Sequence, residues 1–68
     1  MELGYAVYDE AGNKYHEGGH GFHKSILKAK FHKTIEEARD SRDYAADIYG
    51  DEVELKIIAV NLGWVHVE

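Results

Sequence analysis

The sequence predicts an α+β fold: an antiparallel β-sheet of four to five strands with one helix packed on one face, in the order β-β-(β)-α-β-β. Three observations carry this. Apolar residues alternate with period two near both ends of the chain, a capping box opens a helical pattern in the middle, and glycine and asparagine mark the turns. The 68 residues make one domain, residues 1–68.

From Glu2 to Tyr8, Leu3, Tyr5 and Val7 fall on one face of a strand, and Gly4, Ala6 and Tyr8 on the other. Asp9 opens a turn in which Gly12 and Asn13 tolerate positive φ, and residues 14–17 return antiparallel. Three glycines make residues 18–21 a loop. Over residues 25–32, Leu27, Ala29 and Phe31 alternate with Lys28, Lys30 and His32, which suits a half-exposed strand. The pairs Phe22/Ile26 and Leu27/Phe31 are four apart and would also fit a helix. The strand is preferred, because a separate helix begins just afterwards.

That helix starts at Thr34, whose hydroxyl can accept from the backbone N–H of Glu37 while the Glu37 side chain reaches back. It runs to about Tyr49 and stops at Gly50. Ile35, Ala38, Ala45 and Tyr49 share its buried face, with Ile48 at the border. Residues 53–60 form the strongest strand, apolar on both faces at its far end, as a central strand would be. A last strand covers residues 64–68 after an Asn-Leu-Gly loop.

Composition excludes more than it names. There is no cysteine, so disulfides and thiolate chemistry are absent. No apolar run approaches the ~18 residues of a membrane span, so the expectation is a cytoplasmic protein with no membrane partner. Catalysis is not expected. Ser25 and Ser41 sit in no nucleophile motif, and the glycines form no phosphate-cradling loop. No cofactor is implied.

The net charge of −5 divides unevenly. Residues 1–33 hold four acids against five lysines, and residues 34–68 hold nine acids against Arg39, Arg42 and Lys56. On the helix, Glu36, Asp40, Asp43 and Asp47 fall within about 60° of one another, opposite Ala38 and Ala45. Arg39, four before Asp43, would offset part of their repulsion. The row is either a solvated face or a docking face for a basic partner, with nucleic-acid mimicry as its sharpest form. Residues 23–33 contain no acid, and Lys24, Lys28, Lys30 and His32 would share one strand face. That face would contact phosphates or serve as a charged, aggregation-resistant edge. His16, His20 and His23 are spaced H-x3-H-x2-H, open either to a metal or to a plain role as loop histidines. Tyr8 and Trp64 are the aromatics expected on the sheet face away from the helix. An edge strand at residues 64–68 would allow a homodimer.

Phe31, Thr34, Glu37 and Ala38, after a glycine-containing hairpin, resemble the "F-x-T-x-x-E-A" junction of the AP2-like arm-binding domains of phage and transposon integrases. The spacing after Phe31 is one residue longer than in that family. The resemblance covers residues 3–49 and implies a three-stranded sheet that binds DNA. In size, acidity and lack of cysteine the whole chain is similar to phage accessory proteins of the anti-restriction and anti-CRISPR type. That similarity implies a non-enzymatic inhibitor of a host or defence protein, acting in the host cytoplasm.

Overall fold

A computed structural model of the chain describes residues 3–18 and 21–62. Its four-stranded sheet is antiparallel throughout, with one long helix, α1, at Ile35–Tyr49. Strand β1, Leu3–Asp9, is central. Along its full length it pairs with β4, Leu55–Asn61, from Leu3↔Asn61 to Asp9↔Leu55. On its other side Tyr8 and Asp9 pair with Tyr15 and Lys14 of β2, Lys14–His16. The short β3, Phe22–His23, lies beyond β2 and gives the order β3-β2-β1-β4.

The hairpin forms where the turn residues put it. Asn13 adopts φ 53°, a left-handed conformation that asparagine tolerates. Asp9 does more than open the turn. It is fully buried, and its Oδ1 accepts from the N–H of Ala11 (3.1 Å) and of Glu54 (2.9 Å). One carboxylate thereby fastens the hairpin turn to the chain entering β4. The main chain adds a parallel link, Glu10 N–H to the Glu54 carbonyl at 2.9 Å.

Helix α1 begins as its capping residues dictate. The Thr34 hydroxyl accepts from the Glu37 N–H at 3.2 Å, and donates to the Glu37 carboxylate at 3.4 Å. Gly50 ends the helix at φ 59°, ψ −129°, a region that only glycine enters readily. Ala38 and Ala45 are fully buried, and so is Val7 at the centre of the sheet. Alanines let the helix lie close, but they bury little area. Two of the three largest fully buried side chains, His16 and Asp9, are polar. Such a core relies on satisfied hydrogen bonds as much as on apolar contact.

Pairing settles the two faces of the sheet. Lys14, His16 and Phe22 lie on the helix side, where Phe22 meets the Tyr49 ring edge-on at 5.2 Å. By register Asp9 and Val7 lie there too. Tyr8 and Tyr15 pack together on the opposite face, with ring centroids 5.0 Å apart.

Three expectations are corrected. Residues 25–32 do not form a strand. Ser25 caps a 3-10 turn at Ile26–Lys28 by accepting from the Leu27 N–H, and this local bond competes with the sheet. Extended pairing survives only as an isolated bridge between His32 and Tyr5. Second, β4 is an edge among the described residues, and β1 takes the central place. Third, Ile35 is 38% exposed and stands outside the buried stripe, as does Ile48, expected at its border, at 43%. Each lies roughly 70° around the helix from the Ala38/Ala45 line, on flanks that a narrow alanine contact leaves open. The strand expected at residues 64–68, and Trp64 with it, lies outside the described residues.

Candidate protein-binding face

The geometry of α1 puts the acidic row at the surface. With Ala38 and Ala45 turned to the sheet, Glu36, Asp40, Asp43 and Asp47 must point the other way, and all four are exposed. Asp43 pairs at 3.4 Å with its neighbour Arg42, not with Arg39 as the spacing suggested. Among the described residues, Glu36, Asp40 and Asp47 have no ion-pair partner.

The row is arranged against the stability of the helix. Its three successive contacts, 36/40, 40/43 and 43/47, are like-charged and together cost about 1 kcal/mol. Glu36 gains from the positive N-terminal end of the helix dipole. Asp47 sits in the last turn, which carries no basic residue, and opposes the dipole there. Beside the row, Tyr44 and Ile48 are 50% and 43% exposed and one turn apart. Tyrosine is enriched at protein-binding surfaces, whose polar rim carries the charge. The sequence reading missed this pair, although the i, i+4 spacing on a flank of the wheel could have found it.

The basic residues are gathered differently than expected. Lys24, Lys28 and Lys30 are exposed on the connection between β3 and α1, not on a strand face. His32 does not join them outside. It is half-buried, pinned to β1 by Tyr5 N–H to its carbonyl (2.9 Å) and its own N–H to the Tyr5 carbonyl (2.8 Å). Its Nε2 is buried with no hydrogen-bond partner. Burial, then the Lys30 charge, pushes the His32 imidazole below its ordinary pKa, against an opposing pull from Glu37.

Of the spaced histidines, His16 and His23 are not brought together as ligands, since by register they lie on opposite faces of the sheet. His16 is 2% exposed, with Nδ1 3.2 Å from the Ser41 hydroxyl of α1 and its ring against Phe22. It is a core histidine that ties helix to sheet. His23 is exposed, and its Nδ1 accepts from the Ser25 N–H at 2.9 Å. His20 lies outside the described residues. Among the described residues, no three of His, Asp or Glu are grouped to hold a metal ion.

Tyr8 is half-buried, not openly exposed. Its ring rests on Tyr15, and its hydroxyl donates to Asn13 within the hairpin. On the same face Lys56 pairs with Glu10, and that hydrogen bond raises the Lys56 pKa. Among the described residues no helix is long and apolar enough to cross a membrane.

The described chain is thus a small α+β unit with an acidic, partly apolar helix face on one side and a lysine-rich connection on another. Comparison with protein families, curated proteins and solved structures returns no match.

Proposed function

We propose that the protein acts by binding, and that the exposed row Glu36, Asp40, Asp43 and Asp47, with Tyr44 and Ile48 beside it, docks on a basic surface of a protein partner. The observation that carries this reading is a carboxylate row, ion-paired among the described residues only at Asp43, held outward by a helix whose stability it lowers. Over the 11 residues from Glu36 to Asp47 the helix rises ~16 Å. A nucleic-acid strand of that length carries about five phosphates, against four carboxylates here. The row therefore suits a surface built to receive nucleic acid, and occupying that surface would inhibit the partner. Similarity in size, acidity and lack of cysteine to phage inhibitors favours a host or defence factor as the partner.

The test is the triple variant Asp40→Lys, Asp43→Lys, Asp47→Lys, checked for folding by circular dichroism. Tagged wild-type protein should capture a basic protein from host lysate and release it to added duplex DNA. The triple variant should lose that protein, and Lys24→Gln with Lys28→Gln should keep it. An identical capture by wild type and the triple variant would remove the acidic face from the mechanism.

A further inference from the structure

We propose that the β3–α1 connection, residues 24–33, is a docking site for an anionic lipid surface. It is separate from the acidic helix row and stands or falls independently of it. Attachment to a membrane surface needs no spanning segment.

Four features point to this partner. The connection carries Lys24, Lys28, Lys30 and Lys33, all exposed, and no acid occurs between Glu17 and Glu36. In the middle of the lysines stands Leu27, 56% exposed, the most exposed of the large apolar side chains described. The turn that presents it is braced by its own bonds. The Ser25 hydroxyl accepts from the Leu27 N–H, the Ser25 carbonyl from the Lys28 N–H (3.1 Å), and the Ile26 carbonyl from the Ala29 N–H (3.1 Å). The far side is tied to the sheet through Lys30 N–H to the His16 carbonyl at 3.0 Å and through the His32–Tyr5 bridge. A braced turn with an aliphatic tip between ammonium groups matches the boundary of an anionic bilayer. The tip enters the acyl edge and the lysines meet headgroup phosphates.

The same features disfavour nucleic acid. Base recognition on a single strand uses stacking aromatics, and duplex reading favours arginine forks. Here Phe22 is engaged by His16 and Tyr49, Phe31 is half-buried, and the connection contains no arginine. A leucine at the tip contributes nothing to phosphate contact. The net charge of −5 does not prevent docking, because the connection itself carries four lysines and no acid.

The experiment is flotation of the purified chain with phosphatidylcholine vesicles, with and without phosphatidylserine at one third of the lipid. Binding is expected only with phosphatidylserine, and should fall steeply with salt. Lys24→Gln and Lys28→Gln should each weaken it about fivefold. Leu27→Ser should weaken it about tenfold without altering the circular dichroism spectrum. Failure to float with the anionic vesicles at low salt would overturn the proposal. So would binding that Leu27→Ser leaves unchanged. So would tighter binding of the same lysines to an oligonucleotide, which would mark a phosphate-backbone site instead.

Discussion

Asp9 is where the fold is most exposed to a single change. Replacing it by alanine removes the acceptor of two backbone bonds, from Ala11 at 3.1 Å and from Glu54 at 2.9 Å. Hydrogen bonds to a charged partner contribute roughly 1.5–3 kcal/mol each. Ala11 and Glu54 are surface residues, so water recovers part of the loss. A net cost of about 3–4 kcal/mol follows. A domain of 68 residues has only ~3–10 kcal/mol in total. Asp9→Asn keeps Oδ1 in place and weakens the two bonds without deleting them, so it should cost about 1–2 kcal/mol. Lys14→Met tests the charge alone. Its ammonium is 3.9 Å from Asp9 Oδ2 and its side chain is 38% exposed, so the loss should stay under ~1 kcal/mol. Urea denaturation followed by circular dichroism ranks the three. If Asp9→Ala costs no more than Lys14→Met, the carboxylate is not the fastening we describe.

Three further changes have definite expectations. Thr34→Ala removes the N-cap bond to Glu37 and should cost about 1 kcal/mol, seen as a melting temperature lower by ~4–8 °C. Gly50→Ala meets no atom within 4 Å, so its expected penalty of about 1–3 kcal/mol is purely conformational; an unchanged urea midpoint would contradict the strain. The His32 imidazole has a lowered pKa when folded, so the unfolded chain binds the proton more readily. Stability should therefore decrease as pH falls through ~6.5 towards the lower folded value, and His32→Gln should flatten that slope in urea titrations at several pH values.

Elements whose determinants are local were legible in the sequence. The hairpin follows from Asn13, and the helix boundaries from Thr34, Glu37 and Gly50, because each acts on residues within a turn of itself. The acidic row was legible for the same reason, since helical periodicity alone places it. Asp9 shows the limit. Its bond to Ala11 could be read from a turn two residues long, but its bond to Glu54 joins residues 45 apart. His16 was likewise misplaced among loop histidines, because its partner Ser41 lies 25 residues on and becomes a neighbour only when the helix packs. Residues 25–32 failed for a different reason. Leu27, Ala29 and Phe31 alternate as a strand would, yet alternation says nothing about whether a neighbouring edge has hydrogen bonds to offer. Tyr5 offers one bridge, and Ser25 settles the remainder locally.

The His32–Tyr5 bridge has a dynamic consequence. Two main-chain bonds and the Lys30–His16 link latch the far end of the lysine-bearing connection to the body of the domain. A latch this short can open without melting the sheet, since β1 keeps its full ladder with β4. Opening frees the orphaned Nε2 of His32 to meet water and accept a proton, so acid favours the open form. The amide of His32 should then exchange with solvent sooner than those of Ala6 and Val7 on the same sheet. The gap should widen as pH falls, once intrinsic exchange rates are corrected for. The protein would in that case carry a tether whose slack is set by one histidine.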